Sequence, residues 1–291
     1  MGFGPFLLLA TLEGTVMAAV LALTAVGLSL TFGVMRVVNV AHGEFFMLGA
    51  VLAWFVAQAM PTPLLGFACA LIVVPLVVAA LAALADTTVL KRLNYDAEAT
   101  IVATIGLSYI LQQAALSLFG PDARAVEPPF TLRLQFPWFG YSGYKLFVVL
   151  AAALILLAVW AFITRTRAGL VMRATQVDRA TARAFGIHVD RVYAGTFALG
   201  AGLAAIAAVL IVPIQQAHYL MGHDPLLLSF IVVIIGGLGS IRGTLIAALM
   251  IGLSDGIISM FFSPTLAKII ATLAVALVLV FRPQGLFGGR A

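Results

Sequence analysis

Runs of apolar residues, each bounded by a short polar or charged stretch, divide the chain into nine segments. They cover residues 9–33, 42–60, 63–85, 97–118, 144–163, 192–213, 226–239, 243–262 and 265–281. A helix needs about 20 apolar residues to cross a bilayer, so the pattern predicts an all-α, polytopic helical membrane protein. About nine spans, within a range of eight to ten, make up a single transmembrane domain over residues 1–291. The seventh run is short, and Gly236, Gly237 and Gly239 interrupt its end. It is expected either as a full crossing or as a broken or re-entrant helix.

Composition narrows the picture further. Hydrophobic residues make up 63% of the chain, charged residues only 9%, and the mean hydropathy is +1.16. A soluble domain carries about a quarter charged residues, and 16 basic and 11 acidic side chains cannot cover a water-facing surface of this size. Soluble enzymes, nucleic-acid binders and disulfide scaffolds are excluded. Cys69 stands alone, so there is no disulfide framework. Residues 1–8 hold no positive charge; without the basic start of a cleavable signal, the first apolar helix is expected to direct insertion.

The charge pattern is a topology signal. Arg36, Lys91, Arg92, Arg165, Arg167, Arg173, Arg179, Arg183, Arg191, Arg242, Arg282 and Arg290 fall on one side of a nine-span alternation. Arg124, Arg133, Lys145 and Lys268 fall on the other. Lysine and arginine accumulate in cytoplasmic connections, so the C-terminus is expected inside and the N-terminus outside. The outer connection 119–143 holds Pro121, Pro128, Pro129 and Pro137, with Trp138, Tyr141 and Tyr144 near its end. It is read as a compact loop with aromatics at the headgroup level, or as a docking surface for a soluble partner.

The inner connection 164–191 is the most informative stretch. Thr175 followed by Asp178 is a helix-start signal, and Gly186 suits the position just past a helix end. A helix over 176–185 is predicted, with Val177, Ala180 and Ala184 along one stripe beside Phe185, and with Arg179 and Arg183 on another face. So short a helix is marginal in water and needs a surface to pack on. That surface is either the membrane headgroups or a close-fitting protein groove, which the small, alanine-rich stripe suits better. None of Lys91, Lys145 and Lys268 follows a glycine, so no phosphate-binding Gly-Lys-[Ser/Thr] loop exists. Any ATP hydrolysis belongs to another polypeptide.

Polar residues at membrane depth are costly and usually face a bundle interior or a cavity. Glu13, His42, Glu44 and Asp255 are the candidates. Asn39 is positioned to cap the second helix and to place His42 and Glu44 in its first turn. The alternative makes Asn39, His42 and Glu44 part of an inner gate or a subunit contact. Thr104, Ser108 and Gln112 recur every four residues as one polar stripe, either for interhelical hydrogen bonds or as the lining of a solute's route. Arg242 and Arg36 are candidate partners for Asp255, a pairing the sequence alone does not show. Tyr95-Asp96 with Gly252-Leu253-Ser254-Asp255 faintly resembles an intramembrane aspartyl protease, but a required glycine is missing. No HExxH occurs among the four histidines, and no catalytic or metal residue is assigned. An ion-coupled secondary carrier is the stronger physical rival.

Five stretches carry a resemblance. They are GLSLTFGVMRVVNVAHGEFFMLGA (27–50), ATIGLSYILQQ (103–113), RTRAGLVMRATQVDRATARAFGIHVDRV (165–192), GGLGSIRG (236–243) and RPQGLFG (282–288). In order and over essentially the whole chain, they resemble the membrane permeases of branched-chain amino-acid ABC importers, the LivH/LivM family, and most the shorter, LivH-type member. The resemblance implies a bacterial inner-membrane location, a second, LivM-like permease, two cytoplasmic ATPases that carry ATP-Mg, and a periplasmic substrate-binding protein. This chain itself is expected to hold no cofactor and to contact lipid, not nucleic acid. The resemblance also makes the stretch around Arg173, Asp178, Arg179, Ala180, Arg183 and Gly186 the coupling helix that docks on an ATPase, although no Glu-Ala-Ala stands at its start. Leucine, isoleucine and valine are the implied solutes, with urea, amides or aromatic acids as the alternatives.

Overall fold

The computed structural model describes residues 2–282 and 284–286. Its helices are α1 Phe3–Met35, α2 His42–Ala59, α3 Pro63–Thr88, α4 Ala97–Phe119, α5 Gly143–Arg165 and α6 Arg167–Val177. They continue with α7 Arg179–Ala184, α8 Val189–Ile211, α9 His223–Gly236, α10 Ile241–Phe261 and α11 Pro264–Phe281. A single 3-10 turn, Leu90–Leu93, follows α3. Each of the nine apolar runs becomes a helix, and eight of these are long and apolar enough to cross a membrane. The exception is α9, whose 14 residues reach about 21 Å, short of a ~30 Å hydrocarbon core. Arg290, and Pro283, Phe287 and Gly288 of the terminal motif, lie outside the described residues.

Local chemistry sets the helix starts. Thr62, Asp96, Ser240 and Ser263 each accept a hydrogen bond from a backbone N–H three residues on, which satisfies a donor the helix cannot. Pro63 and Pro264 occupy first-turn positions where no N–H is needed.

The bundle is built around α1, which packs on α10, α8, α9 and α5. Lipid tails are as apolar as leucine, so helices associate through close packing of small residues and a few polar bonds. Gly14 on α1 and Gly252 and Gly256 on α10 bring those two backbones together. The buried Ala201, Ala204, Ala205 and Ala208 let α8 nest between α2 and α3. Thr244 Oγ1 donates to Ser29 Oγ at 3.0 Å across the α1–α10 seam, a bond worth about 0.6 kcal/mol in such settings. Lys145 Nζ donates to Glu13 Oε1 at 2.6 Å and ties α1 to α5. α4 and α11 are the most exposed of the long helices, each with 11% of its most apolar window buried.

The connection 119–143 contains a two-stranded antiparallel hairpin, β1 Arg133–Gln135 and β2 Gly140–Ser142. The Arg124 guanidinium lies 4.4 Å from the Trp54 ring centroid and 4.6 Å from that of Phe119. Its backbone pairs with Ala217, fixing this loop to the segment after α8. Trp138 is exposed, as expected at an interface, but Tyr141 and Tyr144 are buried. The Tyr144 hydroxyl donates to Leu210 O at 2.8 Å, at the end of α8, so this tyrosine packs on protein.

The connection 164–191 also departs from expectation. In place of one helix over 176–185, α6 and α7 meet in an elbow at Asp178, whose φ of −152° and ψ of 111° are extended. Asp178 itself caps α7, accepting from the Ala180 amide at 2.8 Å and from the Thr181 hydroxyl. Thr175, the expected start, is buried inside α6 and donates back to Val171 O at 2.9 Å. The expectation for Gly186 holds. Its φ is +81°, Ile187 N donates to Ala182 O at 3.1 Å, and Gly186 N donates to Arg183 O at 2.9 Å, the paired bonds of a Schellman end.

Candidate functional site

Two helices start inside the bundle. After α1 ends at Met35, with Arg36 as its C-cap, the chain runs back along it, and α2 begins where His42 Nε2 donates to Thr24 O at 2.9 Å. Thr24 lies twelve residues before Arg36, about 18 Å back along the helix. The segment 212–222 likewise returns from the end of α8 to the start of α9, and Gly222 abuts Gly43. A Cβ on either glycine would overlap the other's carbonyl. This approach explains why glycine stands immediately before one helix start and just inside the other.

α4 closes the cluster from the side. Val40 N–H donates to Thr104 Oγ1 at 3.2 Å, and Gln112 Nε2 lies 2.8 Å from His223 Nε2. Glu44 Oε1 is 3.8 Å from His223 Nε2. Thr104 and Gln112 stand about 10 and about 22 Å from the start of α4, so the cluster lies near the middle of a ~30 Å core. The structure thus sets Val40, the neighbour of Asn39, against Thr104, and sets His223 between Glu44 and Gln112. Ser108 shares the helix of Thr104 and Gln112 but spends its hydroxyl on Ile105 O.

Most of this cluster is dry. His42 is fully buried, and donation from Nε2 leaves Nδ1 with no partner among the described residues. Glu44 is 3% exposed and its Oε2 is also unpartnered there. Both fall in the first turn of α2, as expected, where the dipole favours a carboxylate. Asn39 is not the helix cap, however. Ala41 occupies that position, and Asn39 Oδ1 accepts from the Ala41 amide at 3.0 Å. The rim of the cluster is open, since the His223 side chain is 59% exposed. A histidine and an amide at this depth are poorly matched to lipid, so water or another protein suits this face.

His223 and Asp224 escaped the sequence reading because the seventh run was started at residue 226. The polar pair followed by Pro225 was the available signal, since proline favours the first turn of a helix.

Asp255 belongs to a different place. It lines a cavity of about 260 Å³ between α1, the segment before α9, and α9 to α11. Lys268 lines the same cavity and bonds Asp224 at 2.7 Å. The candidate pairing of Asp255 with Arg242 or Arg36 is therefore corrected: those arginines belong to the opposite end of the bundle. Asp96 is occupied in capping α4, with its Oδ1 accepting from Ala99 N at 2.9 Å, so no Asp96–Asp255 dyad exists.

At the elbow, Val177 and Phe185 are each 83% exposed, and Ala180 and Ala184 are exposed beside them. Ala182 alone on α7 turns inward and is buried. Hydrogen bonds from the Thr181 hydroxyl and from the Ala180 and Thr181 amides hold the Asp178 carboxyl below its ordinary range. Arg179 is exposed. Arg173 Nη1 donates to Ile163 O at 2.6 Å at the end of α5. Arg183 Nη2 and Lys91 Nζ both reach Asp190, at 3.3 and 3.2 Å. Beside them the Tyr95 hydroxyl donates to Asp86 Oδ2 at 3.3 Å, and its ring meets Tyr193 edge-on. Burial, followed by the nearby Asp86 and Asp190 charges, pushes the Tyr95 phenol well above its ordinary value, so it stays a donor.

Comparison with known proteins places this arrangement. Residues 10–280 match the family model described as branched-chain amino acid transport system / permease component. The high-affinity branched-chain amino acid transport system permease protein BraD of Pseudomonas aeruginosa is 27% identical, over 95% of this chain and 94% of its own. The permease protein LivH of Escherichia coli K12 gives the same identity and the same coverage. A probable LivH permease from Methanocaldococcus jannaschii is 26% identical over 95% of this chain and 91% of its own. Among solved structures, PsaBC from Streptococcus pneumoniae in complex with Fab aligns with a TM-score of 0.50 at 13% identity, over 94% of this chain and 92% of that one. That likeness concerns the fold alone.

Proposed function

Because the chain belongs to the family of permease components of branched-chain amino acid transport systems, we propose that it is the membrane subunit of an ATP-driven importer carrying branched-chain or related amino acids into the cytoplasm. The family is one of membrane permeases, not enzymes. The observation that carries the importer reading is the α6–α7 elbow, fixed at Asp178 and Gly186 and presenting Val177 and Phe185 to solvent. Two large apolar side chains on a short cytoplasmic projection call for a protein groove, and an ATPase subunit supplies one.

In this reading two ATPases carry ATP-Mg, and their closure pulls on the elbow. The Arg183–Asp190–Lys91 contacts pass that motion to α8 and to the turn before α4. A second permease covers the exposed face of α4 and α9, and the mid-membrane cluster lies along the solute's route. A periplasmic binding protein delivers the solute and chooses it, with leucine, isoleucine and valine ahead of urea, amides or aromatic acids. The basic connections support an inner-membrane protein with its C-terminus in the cytoplasm and its N-terminus outside.

A proton-coupled carrier has no use for the elbow. Uptake into vesicles separates the two. The importer reading expects transport to stop on ATP depletion and to survive collapse of the proton gradient; the opposite result overturns it.

A further inference from the structure

The cavity beside Asp255 is chemically unlike the mid-membrane cluster. Its volume is about 260 Å³, room for about nine waters at ~30 Å³ each, and leucine has about as many non-hydrogen atoms. Val20, Leu21 and Leu228 give it aliphatic walls, while Asp224, Asp255 and Lys268 give it charges of both signs. Lys268 and Asp224 are partly exposed and already paired with each other, and an exposed pair of this kind is held by at most about 1 kcal/mol, so Lys268 exchanges partners easily. Asp255 is half-buried and makes no hydrogen bond or ion pair among the described residues. A half-buried carboxylate between apolar walls is stabilised by a cation.

We propose that this cavity is a transient site for a zwitterionic aliphatic amino acid. The ligand's ammonium meets Asp255, its carboxylate meets Lys268 in place of Asp224, and its side chain lies against Val20, Leu21 and Leu228. This assignment rests on the importer reading and deepens it. Asp224 is the neighbour of His223 in sequence, so the site stands next to the mid-membrane cluster. A ligand leaving the cavity past the α9 start meets Gln112 and Glu44 next.

The test uses the complete transporter in nanodiscs, with Cys69→Ala and Leu220→Cys introduced. Leu220 lines the cavity and is exposed, so maleimide labelling reports access. L-leucine is expected to slow labelling by one plus the ratio of its concentration to Kd, about twofold at half-saturation. 4-Methylpentanoate, which lacks the ammonium, and 3-methylbutylamine, which lacks the carboxylate, are expected to protect less. Asp255→Asn is expected to remove protection by leucine and Asp255→Glu to keep it, with melting curves verifying that both variants are folded.

Several results overturn the site: absence of labelling in the assembled transporter, protection by either fragment equal to that by leucine, or leucine protection that survives Asp255→Asn. If ATP-driven leucine uptake proceeds while leucine gives no protection, the cavity assignment falls and the importer reading stands. Protection without ATP-driven uptake gives the converse.

Discussion

Arg183 Nη2 stands 3.3 Å from Asp190 Oδ1, joining the last turn of α7 to the first turn of α8. The other oxygen of the same carboxylate takes Lys91 Nζ at 3.2 Å. One acid therefore links the elbow to the turn that precedes α4. These side chains are 40% to 59% exposed, and each such pair contributes at most about 1 kcal/mol to stability. Asp190→Asn is expected to leave the melting temperature nearly unchanged while lowering solute uptake per ATP hydrolysed by the reconstituted transporter. An unchanged ratio of uptake to hydrolysis removes Asp190 from the coupling route.

Phe185→Ala and Val177→Ala trim apolar side chains that are largely exposed. Folding stability should move by less than about 0.5 kcal/mol. If Phe185 anchors the ATPase, its loss weakens association by at least about 1 kcal/mol. Recovery of ATPase with the purified permease measures this, and undiminished recovery for both variants places the docking surface elsewhere.

Gly186→Val puts a β-branched residue at a φ of +81°. The left-handed region costs an ordinary L-residue about 1–2 kcal/mol, and nothing else lies within 4 Å of the site a Cβ would occupy. The damage is therefore confined to the end of α7. Coupled transport is expected to fall while the membrane bundle melts as before, and normal transport by this variant counts against the elbow's role.

Gly43→Ala and Gly222→Ala test the meeting of α2 and α9. Each added methyl runs into backbone carbonyl oxygen, which cannot rotate away as a side chain does, so overpacking of about 1–3 kcal/mol is expected. Both variants should melt earlier in detergent, and the double variant should not recover stability. A neutral effect at both positions removes the contact as a structural constraint.

The Asp178 cap has a defined pH dependence. Its folded carboxyl titrates below the ordinary 3.8, so the cap contributes fully at pH above that value and is lost as pH falls through the lowered one. Amide exchange at Ala180 and Thr181, corrected for intrinsic rates, should show constant protection from about pH 5 to 8, well above the ordinary carboxylate range. Asp178→Ala should remove that protection at every pH. A wild-type loss of protection within that window contradicts the capping arrangement.

The bundle was legible because a bilayer demands long apolar runs, and those of α1 to α5, α8, α10 and α11 stand out without any tertiary information. The elbow was half legible. Gly186 announced a helix end through its own backbone freedom, whereas Thr175 and Asp178 fitted a start signal that either residue alone could supply. Packing decided between them by burying Thr175. The partners of Glu13, Asp224 and His223 were not legible, because Lys145, Lys268 and Gln112 come from distant segments that only the fold brings near. Tyr141 and Tyr144 read as interface residues for the same reason: their burial depends on a hairpin and on α8.

α4 is fastened in an unusual way. Its foot is pinned by the turn at Leu90–Leu93 and by the Asp96 cap, while farther along its length two side-chain hydrogen bonds, through Thr104 and Gln112, cross to other parts of the chain. At its far end the buried Phe119 meets Trp54 edge-on and its carbonyl accepts from Arg124 at 2.6 Å, so the helix is moored at both tips and its exposed flank is left bare between them.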